Sequence, residues 1–298
     1  MAFTKANLNY AQEYSRALAQ AYPYALYFGK LYNVENDSRY RWINANTIQI
    51  PILSVKGRVD GDRDSIGTAA RNYNNTWESK QITNFRKWST LVHPLDIDET
   101  NIVASIENIT KVFNEEQKFK EKDCYLISKV YKDWTAQSKT ADATAVTASN
   151  ILSVIDKMME NMTEKRVPTQ GRILYLTPTM NTYLKSALQR RLTATDDVVR
   201  RQIEMLDDVE IVEVPSDCMK TAYTFTEGCE IATKAGQINL FLVHPSAVIT
   251  PEKYNFVNLA EPTAVTEGKY YYYEESYEDV FILNKKADGI AFNITAAA

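Results

Sequence analysis

The chain has 298 residues, 45% hydrophobic and 24% charged, the make-up of an ordinary folded protein with a buried core and room for one or two domains. Its formal net charge of −4 comes with Lys and Arg scattered along the sequence, which excludes a surface built for tight phosphate binding but not a protein that merely encloses nucleic acid. Cys124, Cys218 and Cys229 show no C-x-x-C spacing, so buried free thiols are expected in place of a disulfide framework or a cysteine-rich zinc site.

No apolar run of about 18 residues occurs, and Met1-Ala-Phe-Thr-Lys lacks the order of an export signal. The expectation is a chain made and kept in the cytoplasm.

From Asn7 to Tyr32 the sequence reads NLNYAQEYSRALAQAYPYALYFGKLY, with Leu8, Ala11, Tyr14, Leu18 and Ala21 at helical spacing before Pro23 interrupts. A terminal segment this rich in Tyr and Phe needs a surface to lie on. A neighbouring subunit is the expected support, with the chain's own core as the alternative.

Ile48, Ile50 and Ile52 then alternate with Gln49 and Pro51, which predicts a strand with an edge position at the proline. A second extended run covers Thr76 to Val92. Between the two lies DGDRDSIGTAARNYNN, so the whole reads as a long two-stranded projection with a polar end. An isolated hairpin is marginal in water, so something else must hold it.

After DIDET, read as N-cap and first-turn acids, Ile102, Ile106, Ile109 and Phe113 recur at steps of three and four. Cys124, Ile127, Tyr131 and Trp134 resume the stripe across a polar middle, NEEQKFKEKD. This predicts one long helix, or two nearly collinear ones, from Thr100 to Trp134, with its centre against solvent or a charged partner surface.

The low-complexity link TAQSKTADATAVTAS precedes an α/β block. Its helices are expected at Asn150 to Lys165 and Thr179 to Arg191, and its strands at Arg172 to Pro178, Val209 to Pro215 and Ile238 to Pro245. These strands are apolar on both faces, as in a buried sheet. The tail, Glu267 to Ile294, predicts two or three strands with a turn at Ala287-Asp288-Gly289.

Chemical motifs are few. Asp60, Asp62 and Asp64 match the first positions of a calcium loop, but Ser65 stands where its glycine belongs and Arg71 where a glutamate should close it. His93 and His244 each precede a proline at a strand end, far from any second histidine. Glu274, Glu275, Glu278 and Asp279 cluster beside Tyr270 to Tyr273, where a solvated or interface-facing strand is the ordinary reading.

The order of these parts, together with ILYLTPTMNTYLKSA, INLFLVHPSAVITPEKY and VFILNKKADGIAF, resembles the Hong Kong 97-type major capsid proteins of tailed bacteriophages. The resemblance implies an α+β fold with an N-terminal arm (1–45) and an extended E-loop hairpin (46–92). It further implies a discontinuous P-domain with a spine helix (93–140 and 251–298) and an A-domain (141–250). Its function would be structural: pentamers and hexamers of this chain forming an icosahedral head around double-stranded DNA, bound without sequence specificity. It implies no catalysis, no cofactor, no metal and no membrane. Implied partners are a scaffolding protein, separate because no scaffold-like segment precedes the arm, with a portal and decoration proteins. Assembly in the host cytoplasm would end in the virion.

The candidate inter-subunit contacts are Tyr14, Tyr22 and Tyr24 of the arm, and Lys56, Arg58, Asp60, Asp62, Arg63 and Asp64 of the hairpin end. Members of the family that cross-link themselves use a hairpin lysine with a partner asparagine and a glutamate; Lys56 and several asparagines are present, but nothing marks them as a set, and covalent cross-linking is not expected. Two other classes compete: the shell of a cargo-enclosing bacterial nanocompartment, which resembles the same fold, and a hydrolase using the Tyr- and Glu-rich tail.

Overall fold

A computed structural model describes residues 24–32, 40–44, 46–58, 60, 71–99, 105–189 and 205–296. After a short helix α1 (Gly29–Tyr32) come strands β1 (Arg41–Trp42), β2 (Thr47–Val55), β3 (Tyr73–Gln81) and β4 (Phe85–Val92). Helices α2 (Pro94–Glu99), α3 (Ile106–Phe113) and α4 (Phe119–Ala136) follow, the last two joined without a break by a π-helical turn, Asn114–Lys118. Helix α5 (Ile151–Glu164), strand β5 (Ile173–Leu176), helix α6 (Pro178–Gln189) and strands β6 (Met205–Leu206), β7 (Val209–Glu213), β8 (Tyr223–Thr224), β9 (Glu230–Ile231) and β10 (Gln237–Val243) form the next block. Strands β11 (Val248–Ile249), β12 (Glu252–Ala260), β13 (Tyr270–Glu278), β14 (Phe281–Ile282) and β15 (Ile290–Thr295) complete the chain.

The core is built on a five-stranded sheet of order β15-β10-β5-β7-β6, in which only β5 and β7 run parallel. As the apolar runs predict, helices cover both faces. Ile173, Tyr175, Phe241 and Phe292 pack with Cys124, Ile127, Val130 and Trp134 of α4. Leu174, Leu176, Leu240 and Leu242, the alternate residues, pack with Ile155 and Met158 of α5 and Leu184 of α6. Phe241 is opposite Phe292 on one side and Tyr175 on the other, and the rings stack at 4.7 and 5.6 Å.

Arg172 holds this block together from inside. It is fully buried, and its guanidinium donates to the carbonyls of Pro168 (2.8 Å), Met159 (3.2 Å) and Val167 (2.8 Å) and to Thr163 Oγ1 (3.1 Å). It thereby satisfies acceptors at the C-terminal end of α5, where a cation also suits the helix dipole.

The long helix is present, described over Ile106 to Ala136, roughly 45 Å at 1.5 Å per residue. Its polar middle is where the winding widens into the π turn. The acidic run DIDET does not cap it. Pro94 and the ring of His93, whose Nδ1 accepts from Leu95 N at 3.1 Å, start a separate helix there, and Ser105 Oγ caps α3 by accepting from Asn108 N at 3.3 Å.

The projection is a sheet of order β1-β2-β3, paired from Thr47 opposite Gln81 to Val55 opposite Tyr73. β1 stops opposite Gln49, so Pro51 lies on the free edge that its missing N–H requires. The second extended run, expected to be continuous from Thr76 to Val92, divides in two. Ile82 is buried and its N–H donates to Asn46 O at 2.8 Å, while Thr83 donates from N (2.9 Å) and Oγ1 (3.2 Å) to Asp279 Oδ2. These contacts turn the chain at 82–84, and β4 leaves the hairpin to pair with β13.

A separate sheet of order β12-β13-β4 results. The tail contains β13, β14 and β15, with 3-10 turns at Asn284–Gly289 covering the expected turn. Strand pairing divides the chain differently from the sequence-derived boundaries at two places: β4 joins a sheet with the tail, and β15 joins the central sheet of the α/β block.

Candidate inter-subunit surfaces

The described end of the aromatic segment lies on its own chain. Phe28 and Leu31 are fully buried, and the Phe28 ring packs 4.7 Å from Tyr175 and 6.2 Å from Phe241. Asp123, on the buried side of α4, accepts three hydrogen bonds: from Tyr24 Oη (2.8 Å), Tyr27 N (2.8 Å) and Phe28 N (3.1 Å). Burial raises its carboxyl from 3.8 to about 6, although all three donors pull the other way. Tyr24 is therefore tied to the long helix of its own chain. Tyr14 and Tyr22 lie outside the described residues.

The polar middle of the long helix meets a charged partner surface within the same chain. Lys118 pairs with Glu274 at 3.0 Å, Lys122 with Glu278 at 2.9 Å, and Arg86 of β4 with Glu121 at 2.5 Å. Trp88 of β4 stacks on Phe113 at 3.9 Å in the same seam. The acidic cluster is thus not a solvated edge: Glu274 and Asp279 are buried, Asp279 accepts from Tyr125 Oη at 2.7 Å, and Tyr273 Oη donates to Glu275. With these partners the acids act as ties between sheet and helix. The sequence concealed this, because Lys118 and Glu274 are remote in the chain and ion pairing has no periodic signature.

The hairpin divides into a rooted base and a bare end. Ile48, Ile50 and Ile82 are buried against Ile249, Phe281 and Leu283. Farther out, Leu53 is 59% exposed, Val55 69% and Trp77 47%. Lys285 Nζ donates to Leu53 O at 2.7 Å, the outermost tie to the body among the described residues. Lys56 N donates to Asn72 O at 2.8 Å and carries the ladder one step past β2, and Lys56, Arg58 and Asp60 are all exposed. Asp62, Arg63 and Asp64 lie outside the described residues.

A second bare surface escaped the sequence reading. Strand β12 is the outer strand of its sheet and exposes Tyr254, Phe256, Val257 and Leu259. Apolar residues on both of its faces break the period-two rule, which left no strand signal. Exposed apolar groups gathered on two elongated features mark surfaces made to be covered.

His93 and His244 both close strands as expected, and His244 Nδ1 accepts from Ser246 N at 3.3 Å. Among the described residues no group of three or more His, Cys, Asp or Glu side chains is placed to hold a metal ion, and no helix is long and apolar enough to cross a membrane.

No protein-family model matches the sequence, and no curated protein is detectably similar to it. Solved structures are similar along the whole chain. A structure from Mycobacterium phage Che8 is 15% identical with a TM-score of 0.64, covering 97% of this chain and 98% of its own. The capsid structure of cyanophage P-SCSP1u is 12% identical with a TM-score of 0.65, over 97% and 93%. The mature capsid of bacteriophage PhiM1 is 11% identical with a TM-score of 0.66, over 96% and 91%. At such identities it is the fold that is shared, and this chain has the α+β Hong Kong 97-type capsid fold.

Proposed function

We propose that the chain is the major capsid protein of a tailed bacteriophage. In this reading it assembles into the pentamers and hexamers of an icosahedral head enclosing double-stranded DNA. The observation that carries the reading is the likeness to phage capsid structures over 96–97% of the chain. The bare hairpin end and β12 support it, since obligate interfaces bury roughly 2,000–5,000 Å² with apolar centres, and an exposed projection gains its partners only in a lattice.

On this reading residues 1–45 serve as the N-arm, 46–84 as the E-loop, the long helix with the β12-β13-β4 sheet as the P-domain, and the five-stranded sheet with α5 and α6 as the A-domain. Lys56, Arg58 and Asp60, with Asp62, Arg63 and Asp64 beyond them, meet charges on an adjacent subunit. A scaffolding protein, a portal and decoration proteins are the further partners, and assembly takes place in the host cytoplasm. Catalysis has no part in it.

Electron microscopy of the chain co-produced with a scaffolding protein, and of the native particle, tests the proposal. Closed shells of uniform size are expected, with this chain as their most abundant protein. Dispersed subunits under both conditions overturn it.

A further inference from the structure

The π turn of the long helix lies where the N-terminal segment crosses it. Within the turn Phe119 N donates to Asn114 O, five residues back, and the buried Asn114 Oδ1 has no hydrogen-bond partner among the described residues. The next carbonyl, Glu115 O, accepts from Tyr24 N at 3.2 Å, and Tyr24 Oη donates to Asp123 Oδ2 at 2.8 Å. One residue of the segment thus holds the helix both at its irregular turn and beyond it.

The two contacts require the wide winding. From 115 to 123 the chain of a regular α-helix turns through about 800°, which overshoots two full turns by about 80°. A turn that takes one residue more than an α turn removes about 100° of that rotation, so Glu115 and Asp123 come within about 20° of one line along the helix. The same step aims the two halves of the helix at different neighbours. Phe113 stacks on Trp88 of β4 at 3.9 Å, whereas Cys124, Ile127 and Val130 pack into the core of the five-stranded sheet. The halves are held unequally: α4 buries Cys124, Leu126, Ile127, Val130 and Trp134, and α3 has no fully buried residue.

We propose that the π turn is a winding switch set by the N-terminal segment. While Tyr24 is docked, Asn114–Lys118 keeps its π form; when the segment leaves, the turn rewinds to α, and α3, the loosely held half, rotates by about 100° about its axis. Rewinding hands Phe119 N from Asn114 O to Glu115 O, the carbonyl that Tyr24 has vacated, and carries Phe113 off Trp88. Each form has contacts that the other lacks, which is the condition for a two-state element. The switch lies within one chain and stands apart from the shell reading.

Amide hydrogen exchange of the full-length chain, read by mass spectrometry, tests this. Tyr24→Pro removes the N–H that Glu115 O accepts, and exchange over 106–119 should rise about fivefold or more while 124–134 keeps its wild-type protection. Tyr24→Phe keeps that N–H and loses only the hydroxyl, so 106–119 should stay within about twofold of wild type. Deleting Glu116 leaves a turn of α length, and adding Tyr24→Pro to that deletion should no longer change exchange over 106–119. The proposal is overturned if Tyr24→Pro leaves this region at wild-type rates, if Tyr24→Phe opens it as far as Tyr24→Pro does, or if Tyr24→Pro opens it equally with Glu116 deleted. Should the deletion variant not fold, the comparison of Tyr24→Pro with Tyr24→Phe decides.

Discussion

Tyr24 Oη donates to Asp123 Oδ2 at 2.8 Å, so the aromatic N-terminal segment is tied to the long helix by a carboxylate that has no solvent exposure. A charge in that position accepts three hydrogen bonds and is still disfavoured, because burial outweighs them.

The consequence is a pH dependence with a definite sign. Raising the carboxyl from 3.8 to about 6 means that ionising Asp123 costs the folded state about 3 kcal/mol relative to the unfolded chain. The contribution of protonated Asp123 is fully present below about pH 4 and is lost as pH rises through about 6. Urea unfolding of wild type and Asp123→Asn from pH 4.5 to 7.5 checks this. The stability of wild type relative to the variant should fall with rising pH, and a constant difference would refute the burial argument.

The ion-pair seam yields a reciprocal test. Lys118→Glu places a carboxylate opposite Glu274, whose side chain is nearly buried, and should destabilise by about 2–4 kcal/mol. Adding Glu274→Lys should recover at least half of the loss, a coupling readable in a double-mutant cycle. Independent effects of the two changes would mean that the contact carries no energy.

Phe28 fills the space between Tyr175 and Phe241. Phe28→Ala should cost about 3–5 kcal/mol in denaturant unfolding and expose the segment around Tyr24 to protease.

Arg172 supplies four hydrogen bonds from a buried guanidinium. Arg172→Met keeps bulk but strands carbonyls at the end of α5, and a loss of about 2–4 kcal/mol with increased amide exchange over 159–168 is expected. Unchanged stability would show that water replaces the side chain there.

The outer hairpin separates assembly from folding. Leu53→Lys and Trp77→Ala should shift unfolding of the isolated subunit by less than about 0.5 kcal/mol, since both side chains are exposed, and deletion of the polar residues 60–67 should do the same. Shells should be absent or aberrant in the same variants. Normal shells would remove the hairpin from the interface, and a destabilised subunit would show that it packs on its own chain.

Much of this fold is legible along the chain. The stripe Ile106, Ile109, Phe113, then Cys124, Ile127, Tyr131, Trp134 reveals the long helix, because one face at 3.6-residue spacing must be buried. The all-apolar runs around Leu174 and Leu240 reveal a sheet covered on both sides, and Ile48 and Ile50 reveal the rooted strand. Such signals are local: each residue's burial depends on neighbours a few positions away.

Other features were settled only when distant segments met. The chain turns at Ile82 because Asp279 receives Thr83, although the alternation there runs on without Gly or Pro. Asp96 to Glu99 joined a separate helix because His93 and Pro94 start one first. The acids of β13 are structural because Lys118 and Lys122 lie above them. Charge pairing depends on positions in space and leaves no period in the sequence, so only tertiary structure could decide it.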